Sequence, residues 1–370
     1  MKKRRVGIRS FAPLAAVALV LAGCASSDNS STPTNAGEGA ESTELQTVKV
    51  GLSSFQDVCS IYVGIEKGFY AEAGVELDVV RTDWPGANEL GIGGQVDMWT
   101  TSEADVIQQN DSGADTSLAF PLFYFGGGGL MYDPTKHTWE TYDDVIQEEG
   151  DVQSAISRVL GQAKGFTVGV SSGGGEYATF VELVSQGGLQ ISDFNIVDLA
   201  QEELPPALIS GSVDIMIAGI PQRLAVGALG YETLMDQRAL PSTIIHAGFG
   251  AKRSWVDENL ELAQAIQSTI FRTLAYVEDN PDESFQIIAD CMAVGGTEID
   301  VNELGGIWNV MEFFPDSVEW YEANVLAADG TFYWRDRFET VVENLKSEGR
   351  ISDGFSVPLE DLNYGLKTVG

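Results

Sequence analysis

Histidine is nearly absent from this sequence. Only His137 and His246 occur, far apart, and neither belongs to a metal-ligand spacing or a nucleophile motif. Metal-dependent hydrolysis and Ser–His or Cys–His catalysis have little to draw on, so no metal and no cofactor are expected, and a carboxylate-based enzyme is the catalytic alternative. Basic residues are scarce as well: 21 Lys and Arg stand against 55 Asp and Glu, a net charge of −34. That balance argues against nucleic acid and anionic lipid as partners. After residue 24 no apolar run is long enough to span a bilayer. The glycine-rich stretch "VGVSSGGGEY" (168–177) lacks the lysine and following hydroxyl of a nucleoside-triphosphate loop.

What is present begins with "MKKRRVGIRSFAPLAAVALVLAGC". Basic residues, a short apolar run from Phe11 to Ala22 and small residues before Cys24 predict a secretory signal peptide over 1–23. The Leu-Ala-Gly-Cys ending resembles a bacterial lipobox, which implies lipidation of Cys24. Residues 24–47, rich in Ser, Thr, Asn and Gly, then read as a flexible tether. The expected location is extracytoplasmic, lipid-anchored to a bacterial cell membrane. The other two cysteines, Cys59 and Cys291, are free to pair in an oxidising compartment, but spacing alone does not decide it.

The folded body contains a weak internal repeat. Val50-Gly-Leu-Ser-Ser54 recurs as Val168-Gly-Val-Ser-Ser172, and "GGQVDMW" ahead of a loop recurs as "SGSVDIM". Gly51 to Asp97 and Gly169 to Asp214 are nearly equal separations. Each copy alternates strand and helix. Strands are predicted at Val48–Leu52, Leu77–Val80 and Val96–Trp99, and again at Phe166–Val170, Asn195–Leu199 and Val213–Ala218, with helices between. The fold class is therefore α/β: two lobes, each a mostly parallel sheet flanked by helices. Lobe 1 takes 48–125 and 246–370 and lobe 2 takes 126–245. The apolar, glycine-punctuated stretches 118–133 and 242–255 form the two hinge crossings. Capping signals at Asn280-Pro-Asp-Glu and Asp300-Val-Asn-Glu open helices in the C-terminal part, which is expected to complete lobe 1.

"VKVGLSSFQDVCSIYVGIEKGFYAEAGVELDVV", "GGQVDMWTTSE" and "AKRSWVDENLELAQAIQSTIFRTLAYVEDNPDE" together resemble the nitrate, sulfonate, taurine and thiamine-precursor group of ABC-transporter substrate-binding proteins. The resemblance implies a type II periplasmic-binding clamshell, a small-molecule ligand between the lobes, an ABC permease as membrane partner and a monomeric state.

In such a fold, ligands meet the loops at the carboxyl ends of the strands. The candidates from lobe 1 are Ser54, Phe55, Gln56, Trp84, Thr101, Ser102 and Glu103. Those from lobe 2 are Ser171, Ser172, Gly173, Gly174, Glu176, Tyr177, Gly219, Ile220 and Pro221. Hydroxyls and backbone N–H groups before helices suit a polar group, and aromatic walls suit a planar one. Phe123 and Phe125 read as core, Asp97 and Asp214 as structural residues, and Arg81 and Arg223 as possible anion partners. The expected ligand is a small aromatic or heteroaromatic compound with a polar group, such as a thiamine-precursor pyrimidine. Sulfonate, taurine or nitrate is the alternative.

Overall fold

The structure, a computed structural model, describes residues 45–171, 175–220, 222–308 and 311–369. Eleven strands are present among them: β1 (Gln46–Leu52), β2 (Val75–Arg81), β3 (Met98–Ser102), β4 (Thr116–Phe125), β5 (Gly129–Tyr132), β6 (Thr167–Val170), β7 (Asn195–Asp198), β8 (Ile215–Ala218), β9 (Glu232–Asp236), β10 (Ile245–Lys252) and β11 (Glu312–Phe313). They form two sheets, ordered β11-β4-β10-β3-β1-β2 and β7-β6-β8-β5-β9.

The internal repeat corresponds to the parallel trio of each sheet. β2-β1-β3 in the first matches β7-β6-β8 in the second. The two repeated aspartates do the same job at the same place: Asp97 Oδ2 accepts from Lys49 N and Asp214 Oδ2 accepts from Thr167 N, each at 2.9 Å. Each carboxylate sits just ahead of the third strand of its trio, β3 or β8, and fastens that strand's start to the neighbouring central strand, at the end away from the loops that follow the strands.

Beyond the trios the sheets are antiparallel. β10 runs between β3 and β4, antiparallel to both, and β5 runs between β8 and β9 in the same way. These added strands flank the crossings, so they return in the opposite sense. β4 ("TSLAFPLFYF") is buried along its whole length, and β10 at every residue but its last, as strands covered on both faces must be.

The chain leaves the first sheet through Gly126-Gly127-Gly128 and returns between Asp236 and Ile245. The glycine crossing is held on all sides. Gly126 N donates to Met311 O at 2.7 Å, Gly128 N to Gln237 Oε1 at 2.6 Å, and Arg223 Nη1 to Gly127 O at 2.5 Å. A Cβ added at Gly127, Gly128 or Gly129 would lie 2.6–2.7 Å from the Phe125 ring, the Gln237 amide or the Arg223 guanidinium. Close approach, not an unusual φ, requires glycine here.

Two clusters of apolar side chains underlie the two sheets, and a third gathers the C-terminal part around Tyr124, which stacks on Phe332 at 5.0 Å and Trp320 at 5.6 Å. The helix Trp334–Ser347 packs on Glu103–Asp111 and on Gly175–Gln186, so it touches helices of both lobes. Asn280 does not cap with its side chain; its Nδ2 donates back to Tyr276 O at 3.1 Å, while Pro281 opens the next helix as expected. Cys59 and Cys291 form a disulfide, joining the helix Gln56–Cys59 to the helix Pro281–Val294. Among the described residues no helix is long and apolar enough to cross a membrane.

Candidate functional site

The loops after β1, β3, β6 and β8 converge on one cavity of about 260 Å³, floored by Phe123 and Phe125 of β4 and Ile245 and Ala247 of β10. Alternate residues of a strand share a face, so Phe123 and Phe125 point to the cavity while Tyr124 points into the C-terminal cluster. Both phenylalanines are also buried, as a core reading requires.

The first lobe supplies an aromatic corner. Phe55 and Trp84 meet edge to face with ring centroids 6.0 Å apart. Trp84 opens the helix Trp84–Ile92, whose N-cap Asp83 accepts from Gly86 N at 2.8 Å. Its indole Nε1 donates to Asp105 Oδ2 at 2.9 Å. Asp105 in turn belongs to a reciprocal cap with Ser102: it accepts from Ser102 Oγ at 2.7 Å and from Ser102 N at 3.1 Å. Burial pushes the Asp105 carboxyl up, and these hydrogen bonds pull it part of the way back.

The second lobe faces this corner with Ser171, Gly175, Glu176, Gly219, Ile220 and Gln222, and Gln201 joins them. Gly175 and Gly219 permit contact across the cavity floor. A Cβ at Gly175 would lie 2.5 Å from Ile245 Cδ1, and one at Gly219 would lie 3.1 Å from both Glu176 Oε1 and the Phe125 ring. Burial raises the pKa of Glu176, against the opposing effect of hydrogen bonds from its own backbone and from Gln201.

Of the sequence candidates, Phe55, Gln56, Trp84, Ser102, Ser171, Glu176, Gly219 and Ile220 reach the cavity wall. Ser172, Gly173, Gly174, Pro221 and Cys24 lie outside the described residues. Four others sit elsewhere. Thr101, expected in a loop, is inside β3 opposite Gly248, because β10 extends the ladder past the predicted strand end; its Oγ1 donates to Asn88 Oδ1 at 2.7 Å. Glu103 turns away and meets Arg337 at 2.7 Å. Ser54 abuts Gly295, close enough that a Cβ there would lie 2.1 Å from its hydroxyl. Tyr177 packs against the second-lobe core. Arg81 stacks over Tyr62 and donates to Cys291 O at 3.0 Å, and Arg223 pairs with Asp236 at 3.5 Å, so neither arginine lines the cavity.

Sequence reasoning passed over Asp105, Gln108, Gln201, Ile245, Ala247 and Arg350, all on the wall; Asp57, which follows Gln56 in the loop after β1, lies there too. Asp57 is the most perturbed. Burial pushes its carboxyl up to about 7, although its Oδ1 accepts from Val58 N at 2.6 Å. Buried Glu312 is pushed well above its usual range, first by burial and then by the charge of Asp57, while accepting a hydrogen bond from Gln56 Nε2. A raised carboxyl keeps its proton longer in the folded state than in the unfolded chain. Its contribution to stability therefore falls as pH rises from about 4 to about 7, then levels off. Asp57→Asn is expected to match the parent near pH 4 and to exceed it by on the order of a few kcal/mol at pH 7–8. Denaturant titrations of both proteins across that range check this; a constant difference would refute the assignment.

Two lobes, each presenting the loop edge of a parallel trio to a shared cavity and joined by two crossings, define a periplasmic-binding fold. The same architecture occurs in the periplasmic aliphatic sulphonate binding protein SsuA from Escherichia coli (TM-score 0.65, 14% identity, covering 88% of this chain and 99% of that one). It occurs in the periplasmic nitrate-binding protein NrtA from Synechocystis PCC 6803 (TM-score 0.58, 15% identity, 85% and 92%). The Candida albicans CA3427 gene product, described as exhibiting the generic periplasmic binding protein structural fold, is similar too (TM-score 0.61, 12% identity, 87% and 96%). The chain belongs to the NMT1-like family, whose profile matches residues 41–293. No curated protein sequence is significantly similar to it.

Proposed function

We propose that this protein is an extracytoplasmic solute-binding protein, tethered through lipidated Cys24, that captures a small aromatic or heteroaromatic solute and delivers it to an ABC permease. The observation that carries this reading is the cavity itself: walls from both lobes, an aromatic corner of Phe55 and Trp84, and a floor of Phe123, Phe125 and Ile245. A concave, mainly apolar site with a few placed polar groups is what small-molecule recognition needs. That SsuA and NrtA are periplasmic binding proteins supports the reading. A nitrate ion would leave most of about 260 Å³ of largely apolar space unfilled, so a ligand with an apolar body is favoured. Closure of the lobes around the solute stabilises the arrangement that docks on the permease.

The test is thermal unfolding against pyrimidines, other heteroaromatics, aromatic acids and amides, amines, sulfonates, taurine and nitrate. A ligand at a hundred times its Kd adds about 2.7 kcal/mol of stability, a shift of several degrees. Shifts confined to planar, apolar-bodied compounds are expected. Shifts with nitrate and taurine alone would overturn the ligand class, and none with any compound would overturn solute binding.

A further inference from the structure

The charges on the cavity wall are unequal in how well they are satisfied. Asp105 already accepts from Trp84 and Ser102, Glu176 from Gln201 and its own backbone, and Asp57 from Val58. Arg350 is the single cationic residue among the described residues that line the cavity. Its Nη2 donates to the side-chain Oε1 of Gln108 at 3.2 Å, and its Nη1 forms a loose ion pair with Glu348 Oε2 at 3.8 Å, beyond hydrogen-bond distance. A guanidinium carries five donors, and its side chain is 23% exposed.

Its placement is built in. The helix Trp334–Ser347 ends at Glu348, and Gly349 follows with φ +68°. Gly349 N donates to Lys346 O and Arg350 N to Leu345 O, each at 2.9 Å, the paired bonds that stop a helix and reverse the chain. The same helix is anchored by Arg337, buried against Glu103 at 2.7 Å and Glu182 at 3.5 Å. A cation on so firmly held a turn is presented to the cavity instead of trailing in solvent. The segment lies beyond residues 41–293, the part that the family profile matches.

We propose that Arg350 is a specificity-determining residue that pairs with a carboxylate on the solute, so that the ligand is a planar, apolar-bodied acid. This rests on the solute-binding reading. The guanidinium fork matches a carboxylate two bonds to two, and the apolar floor takes the rest of the molecule.

The experiment measures affinities of the purified full chain for benzoate, phenylacetate, indole-3-acetate and nicotinate, each beside its primary amide, with benzenesulfonate as a further anion. Acids are expected to bind at least 10-fold more tightly than their amides. Arg350→Gln should weaken the acids by roughly 30- to 100-fold and leave the amides unchanged, while Arg350→Lys retains part of the acid preference. Gln108→Glu, which places a competing carboxylate against the guanidinium, should weaken the acids in the same selective way and covers the case of a misfolded Arg350 variant. Amides binding as well as acids, an acid preference that survives Arg350→Gln, or benzenesulfonate binding more tightly than every carboxylate would each overturn the proposal. If pyrimidines or amines stabilise the protein while the acids do not, Arg350 loses this role and solute binding stands. If no compound binds, solute binding itself falls.

Discussion

Arg337→Met is expected to destabilise the protein by about 3–5 kcal/mol, a fall in Tm of about 4–7 °C. Arg337 is 4% exposed and lies between two carboxylates, Glu103 at 2.7 Å and Glu182 at 3.5 Å, with side chains 0% and 6% exposed. It also donates to Ser242 O at 2.6 Å. Burial raises the pKa of Glu103 and Arg337 works against that shift. Removing the guanidinium strands two buried acids, and the desolvation they suffered on folding is no longer offset. The loss should shrink on acidification, as the stranded Glu103 takes up a proton, and Arg337→Met with Glu103→Gln should recover part of it. Urea denaturation at pH 5 and pH 8 measures both effects. A loss below about 1 kcal/mol at pH 8 would show that the triad contributes little.

Breaking the disulfide should cost a similar amount. Cys59 and Cys291 are 232 residues apart in sequence, and chain-entropy arguments put the stabilisation from so long a loop near 5 kcal/mol. Both cysteines are buried in the first core cluster, so the pair Cys59→Ala and Cys291→Ala also keeps the site free of unpaired thiols. The variant is expected to unfold about 7 °C below the oxidised parent, and the parent with reductant should approach the variant. Equal Tm values for oxidised parent and variant would mean that the bond constrains nothing the rest of the fold does not already constrain.

What the sequence revealed and what it hid follow one physical division. The repeat was legible because each parallel trio is built from contiguous chain, so hydrophobic period, turn glycines and the aspartates Asp97 and Asp214 all appear in order. Phe55, Gln56, Trp84, Ser102, Glu176, Gly219 and Ile220 could be placed at the cavity because a loop after a parallel strand must emerge there. Glu103 and Asp105 could not be told apart in the same way. Two residues apart on a helix, they diverge by about 200°, and which one faces the cavity depends on Arg337, 234 residues downstream. Ile245 and Ala247 reach the floor because β10 inserts between β3 and β4, a pairing that no local pattern announces. Arg350 was invisible for a related reason: its position depends on where a C-terminal helix docks.

The insertion of β10 also sets a timetable for the growing chain. The second sheet uses residues 129–236 without interruption, whereas the first has β10 at its centre and cannot close until residue 252 has emerged. The trio β2-β1-β3 is contiguous, but β3 and β4 expose the edges that β10 will fill until it arrives, while every strand of the second sheet is already available. Contiguous units complete ahead of those that depend on distant segments. The half that begins the polypeptide is thus the half whose sheet is completed last, and its β3 and β4 edges are the ones open to mispairing in the meantime.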